Sequence, residues 1–216
     1  MCVSEEDPGV SFPVRRPLFY YITDRHQLPV TSFSALLSNM KRAATWGVDF
    51  IQLREKDLSD LDLFNLTRDA VQVTRATTCK ILVNGRIDIA LAGGAHGVHL
   101  PSTGIGSADL RPHLPRGFLL GASTHSLREA RQAVAGGADY LLLGPVFPTP
   151  SKIGLGEPLG LARFRRICAV LSVPVFGLGG IRSEDICSVL GAGAAGVAGI
   201  SLFQHENHPR SRDNYK

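Results

Sequence analysis

Hydrophobic positions along the chain fall into short unbroken runs separated by longer amphipathic stretches, and four of the runs share a lead-in. Gly47-Val48-Asp49-Phe50-Ile51-Gln52-Leu53, Gly94-Ala95-His96-Gly97-Val98-His99-Leu100, Gly137-Ala138-Asp139-Tyr140-Leu141-Leu142-Leu143 and Gly193-Ala194-Ala195-Gly196-Val197-Ala198-Gly199 each read as a glycine turn feeding a short buried strand. Their starts lie 47, 43 and 56 residues apart. A strand with its following helix takes roughly 20 to 30 residues, so each interval holds two strand–helix units and these four are the even-numbered strands. Leu18–Thr23, Lys80–Asn84, Phe118–Ser123 and Val175–Gly177 supply the odd ones. Helical periodicity, with Ser or Asp near several starts, marks Phe33–Trp46, Leu61–Thr77, Leu127–Ala135, Leu159–Leu171 and Glu184–Leu190. Nearly continuous apolar strands alternating with helices imply a parallel sheet covered by helices. The α/β fold this count predicts is a closed (β/α)8 TIM barrel.

The other fold of this class is an open doubly wound sheet, and Gly191-Ala192-Gly193-Ala194-Ala195-Gly196 matches its G-x-G-x-x-G fingerprint in letters. The context is reversed. The fingerprint must follow a strand and open a helix, whereas here it follows Glu184–Leu190 and opens a strand, so it reads as a helix-ending turn. The predicted organisation is a leader over residues 1–17, a barrel over 18–204 and a polar tail over 205–216, where Pro209 interrupts any helix. The C-terminal helix is therefore expected to be shortened, leaving a face that a second copy in a homo-oligomer could cover.

Composition fits one domain with its own core: 216 residues are 44% hydrophobic and 19% charged, which excludes disorder and a coiled coil. Cys2, Cys79, Cys168 and Cys187 are far apart and form no C-x-x-C pair, so neither a zinc site nor a disulfide scaffold is indicated and a cytoplasmic location is expected. The N-terminus is acidic without an apolar core, and no apolar run approaches the roughly 20 residues of a membrane span. The net charge of +4 resides within 18–204. No Lys/Arg stripe interleaved with aromatics accompanies it, which points away from nucleic acid and toward small anionic ligands.

In a barrel of this kind chemistry sits at the C-terminal ends of the strands. There the chain places Gln52, Arg54 and Lys56 in alternation after strand 2, so that they form a cationic wall on one face, with Lys152 after strand 6 facing it. The bland alternative is an ordinary solvated strand end. After strands 7 and 8, Gly177-Leu178-Gly179-Gly180-Ile181 and Ala198-Gly199-Ile200-Ser201 form a glycine-exposed backbone cradle for phosphate, unless the glycines serve only tight turns. His125, between Ser123 and Ser126 at the exit of strand 5, is placed to move a proton near neutral pH. Asn84-Gly85-Arg86 follows strand 3, and the facing of His99 on strand 4 is left open.

Gln52-Leu53-Arg54-Glu55-Lys56, Val83-Asn84, Gly121-Ala122-Ser123-Thr124-His125, Gly144–Lys152 and Gly177–Ile181 together resemble the thiamine phosphate synthase/TenI superfamily, in order and spacing, from about Leu18 to Phe203. The resemblance implies a (β/α)8 barrel working on thiamine precursors. For the synthase branch it implies that Gln52, Arg54, Lys56 and Lys152, with Asn84 nearby, hold a pyrimidine diphosphate, and that Thr149, Ser151, Gly180, Ile200 and Ser201 hold a thiazole phosphate, Gly179 being a further candidate contact from the glycine loop. That branch also uses Mg2+, on an Asp directly after the strand 3 Asn and another after strand 4. Here the first is Gly85, and the strand 4 loop reads Pro101-Ser102-Thr103-Gly104 with no carboxylate until Asp109. The favoured expectation is therefore the metal-independent thiazole tautomerase branch, with His125 and Lys152 as catalytic residues, Ser123 among the substrate contacts, and neither metal nor other cofactor. The synthase, with Mg2+, is the alternative, and a non-catalytic binder of a phosphorylated ligand is a third.

Overall fold

The computed structural model describes residues 17–149 and 157–204. Ser151 and Lys152, almost all of the 1–17 leader and the 205–216 tail lie outside the described residues. Eight parallel strands close in chain order into a barrel. They are β1 (Leu18–Ile22), β2 (Phe50–Leu53), β3 (Lys80–Asn84), β4 (Gly97–Leu100), β5 (Leu119–Thr124), β6 (Tyr140–Leu143), β7 (Val175–Leu178) and β8 (Gly196–Gly199). The ring shuts where Leu18 pairs with Gly196 and Tyr20 with Ala198.

Outside the strands lie α1 (Phe33–Thr45), α2 (Asp60–Thr74), α3 (Ile87–Ala92), α4 (Ser107–Leu110), α5 (Leu127–Ala135), α6 (Gly160–Cys168), α7 (Ile186–Gly191) and α8, described over Ser201–Gln204. The expected helices are present with trimmed ends: α2 stops at Thr74 rather than Thr77, and α6 spans less than Leu159–Leu171. The Glu184–Leu190 stretch begins as a 3-10 turn at Ser183–Asp185 before α7. Serine caps start three helices, with Ser32, Ser59 and Ser126 each accepting a backbone N–H three residues on.

The repeated glycine turn has a physical purpose. Its third residue turns back to accept the N–H near the start of the preceding strand: Asp49 from Phe19 at 2.9 Å, His96 Nδ1 from Ile81 at 3.1 Å, and Asp139 from Leu120 at 2.7 Å. Each such bond, worth about 1 kcal/mol, holds two adjacent strands in register. In the fourth copy Ala195 stands at this place and has no side-chain acceptor.

Period two divides the side chains into two cores. Outward residues such as Tyr21, Ile51, Val83, Val98, Leu120, Leu143 and Val197 pack against the helices. Inward residues fill the barrel with four rings, Tyr20, Phe50, Tyr140 and Phe176, every pair of them in contact with centroids 5.4 to 6.0 Å apart. Glycine makes room for them. A Cβ on Gly121 would sit 2.2 Å from the Tyr140 hydroxyl oxygen, so the residue facing that phenol must lack a side chain.

Candidate active site

Above the ring layer the inward positions become polar. Gln52 is 2% exposed and His99 1%, both pointing into the barrel, which settles the facing of His99. Gln52 Oε1 accepts from the Tyr20 hydroxyl at 3.1 Å, and Gln52 Nε2 donates to Asn84 Oδ1 at 2.8 Å. The Tyr20 and Tyr140 hydroxyls are 3.0 Å apart, His99 Nδ1 lies 3.2 Å from the Tyr140 hydroxyl, and His99 Nε2 lies 2.8 Å from Ser123 Oγ. Burial, and then the charge of Arg54, push the His99 pKa down to about 3, so its ring is neutral. Burial likewise raises both phenols well above the ordinary tyrosine value. Tyr20, Tyr140 and His99 were not among the expected site residues, because in a strand a tyrosine reads as core and a lone histidine is ambiguous. The alternation Gly97-Val98-His99 beside Leu119-Leu120-Gly121-Ala122-Ser123 is the signal that puts His99 and Ser123 on the same inner face.

This modifies the expected cationic wall. Gln52 sits below it, inside the barrel, while Arg54 is half-buried and Lys56 exposed. Arg54 is held by its backbone, whose N–H donates to Thr23 Oγ1 at 3.0 Å. Between the two cations Glu55 turns the other way and is buried against Arg25, taking its Nη1 at 3.1 Å and its backbone N–H at 3.1 and 3.2 Å. Among the described residues Arg54 and Lys56 form no ion pair. Both line a cavity of about 270 Å³ together with Asn84, Glu55 and Arg86.

Arg86 is different in kind. Its Nη1 bonds Asp60, its Nη2 bonds Asp88 at 2.7 Å and its Nε bonds the other Asp88 oxygen at 3.0 Å. Two carboxylates thus pair with it at the rim, unlike Arg54. The same pairing occupies Asp60 and Asp88, and Arg25 occupies Glu55. Among the described residues no three His, Cys, Asp or Glu side chains group to hold a metal ion. The donors at the β3 and β4 exits therefore do not fit the Mg2+ that the synthase branch implies.

Across the mouth, Thr149, Gly179, Gly180, Ile200 and Ser201 come together around a cavity of about 740 Å³. Gly179 and Gly180 have φ of +93° and +67°, and a Cβ on Gly180 would meet the Pro148 carbonyl at 2.5 Å. Only glycine keeps this turn open. Among the described residues the N–H groups of Gly180 and Ile200 meet no backbone carbonyl, an arrangement that could receive an anion. Ser201 begins α8 and is exposed.

His125 is positioned from both ends. Its backbone N–H donates to Glu129 Oε2 at 2.8 Å while Ser126 caps α5, and its Nδ1 bonds the Gly144 carbonyl at the end of β6. A carbonyl only accepts, so Nδ1 carries the proton and Nε2 is the bare nitrogen of the neutral ring. The structure thus brings Gln52, Asn84 and Ser123 into one interior network, Arg54 and Lys56 to one edge, and Thr149, Gly179, Gly180, Ile200 and Ser201 to another.

Residues 19–203 match the family model described as thiamine monophosphate synthase. A Geobacter sulfurreducens protein, provisionally named as a thiamine-phosphate synthase, is 45% identical over 193 residues, 89% of each chain. The thiamine-phosphate synthase of Methanoculleus marisnigri is 42% identical over 164 residues, covering 76% of this chain and 78% of that protein. Among solved structures, a thiamine phosphate pyrophosphorylase from Pyrococcus furiosus superposes with a TM-score of 0.79 at 31% identity, over 92% of this chain and 93% of the other.

Proposed function

The chain belongs to the thiamine monophosphate synthase/TenI family, a family of thiamine-biosynthesis enzymes, and on that premise we propose that it is a thiamine-phosphate synthase. The relatives' names favour this reading over the tautomerase that the sequence put first. The observation that carries it is a pair of separate cavities at one barrel mouth, one beside Arg54 and Lys56 and one beside Gly179 and Gly180, which suits a reaction between two phosphorylated partners. Thiazole phosphate would occupy the glycine cradle, with Thr149, Gly179, Gly180, Ile200 and Ser201 around its phosphate and Ser151 beside them. The pyrimidine diphosphate would face Arg54 and Lys56, with Lys152 as a further cation and Asn84 donating from its amide. When the methylene–oxygen bond breaks, the electron pair leaves with diphosphate, and these cations stabilise that charge. The thiazole ring nitrogen then supplies the pair for the new carbon–nitrogen bond. Gln52 and Ser123, held from below, orient the pyrimidine.

A second reading is kept by one specific observation, the Asn84-Gly85-Arg86 run with no carboxylate available for a metal. In that reading the enzyme aromatises carboxythiazole phosphate, and His125 Nε2 takes a proton from one ring position and returns it to another. One assay series separates the two. The purified chain is expected to form thiamine phosphate from hydroxymethylpyrimidine diphosphate and thiazole phosphate, and Arg54→Ala to depress that rate. No coupling with or without Mg2+, together with aromatisation of carboxythiazole phosphate in EDTA that His125→Ala abolishes, would establish the second reading instead. Binding of thiazole phosphate without turnover of either kind would leave a phosphate-ligand binder.

A further inference from the structure

We propose that His99 is a positioning residue at the centre of a one-way hydrogen-bond relay, running from Ser123 through His99, Tyr140, Tyr20 and Gln52 to Asn84, that sets two sides of the mouth together. The direction follows from counting protons. Gln52 spends its Nε2 on Asn84 Oδ1, so Oε1 faces Tyr20 and the Tyr20 hydroxyl donates to it. That uses the only proton of Tyr20, whose oxygen therefore accepts from the Tyr140 hydroxyl. With the Tyr140 proton spent, the 3.2 Å contact to His99 requires Nδ1 to be the donor. A neutral imidazole has one N–H, so Nε2 is bare and accepts from the Ser123 hydroxyl at 2.8 Å. Reversing the chain would require both amides to turn over together.

The two ends of the relay reach the mouth with opposite characters. At β3 the Asn84 amide presents N–H groups, and at β5 the Ser123 oxygen presents lone pairs. The group of a ligand that meets Asn84 must accept, as an anion oxygen or ring nitrogen does, and the group that meets Ser123 must donate, as an amine or hydroxyl does. Because every link is inside the protein, the relay holds under either reading of the reaction. Six strands are joined by it, since its members come from β1, β2, β3, β4, β5 and β6. Cooperative polarisation along such a chain makes a change at one end felt at the other.

Nitrogen-15 NMR of the labelled full chain tests this without substrate. His99 is expected to show a proton-bearing Nδ1 and an unprotonated Nε2, and a ring protonated on Nε2 would overturn the relay. Tyr140→Phe keeps the ring in the space left by Gly121 but removes the central hydroxyl. It is expected to erase the His99 tautomer preference and to move the Asn84 side-chain amide resonances. A folded variant with both signatures unchanged would also overturn the proposal, because a residue that only fills space leaves the tautomer alone. If Tyr140→Phe does not fold, Ser123→Ala gives the same reading from the mouth end: a shift at Asn84 supports the coupling and no shift refutes it.

Discussion

The two edges of the mouth that we propose handle anions are built from different material. Along β7 and β8 the donors are backbone N–H groups exposed by Gly179 and Gly180, whereas along β2 they are the charged side chains of Arg54 and Lys56. The backbone edge derives its donors from the shape of the turn. The side-chain edge depends on which cations are left unpaired. Arg54 and Arg86 line the same small cavity, yet Arg86 is tied to Asp60 and Asp88 while Arg54 has no ion pair among the described residues. Charge in the sequence is therefore not charge in the site; the partners decide.

Breaking the backbone edge has the largest expected effect. Gly180→Val places a Cβ against the Pro148 and Phe147 carbonyls in a turn with φ of +67°, and calorimetry should show thiazole phosphate binding weakened about a hundredfold, roughly 2.8 kcal/mol. Arg54→Ala is expected to weaken pyrimidine diphosphate binding about tenfold while leaving thiazole phosphate affinity unchanged. Equal losses of both ligands would mean that the edges are not separate. Beneath them, His99 and His96 have lowered pKa values, so the unfolded chain binds protons that the folded one refuses. Stability from these two residues is complete above the ordinary imidazole value of 6.5 and is lost as pH falls toward about 3 for His99. Between pH 6.5 and about 4, above the carboxylate range, the thermal midpoint of the native chain should fall further than that of a folded His99→Gln variant. Arg86→Ala should change kcat/KM by no more than about twofold, because its charge is already spent on carboxylates.

Much of this was legible in the sequence, and the reason differs by region. The strands announced themselves through the glycine turns, and their even spacing fixed the barrel. The long helices α1, α2 and α5 showed their period, but α3 and α4 are six and four residues long, too short for a 3.6-residue period to register. The open Gly179-Gly180 turn was readable because a glycine pair has few other uses at a strand exit, and its assignment to phosphate remains with the sequence. The relay was not, because Tyr20 and Tyr140 lie in unbroken apolar runs where period two carries no polar contrast. Alternation correctly set Glu55 apart from Arg54 and Lys56, but it also grouped Gln52 with them, since it gives a direction and not a depth. Ser151 and Lys152 lie outside the described residues, and their assignment remains with the sequence.

The four contacting rings inside the barrel make it a cup and not a tube. Everything that enters must leave by the same doorway, and nothing can be expelled through the floor. For an enzyme handling more than one ligand this becomes a matter of traffic: whatever seats nearest the rings loads first, and whatever lies across the rim controls when the deeper one departs.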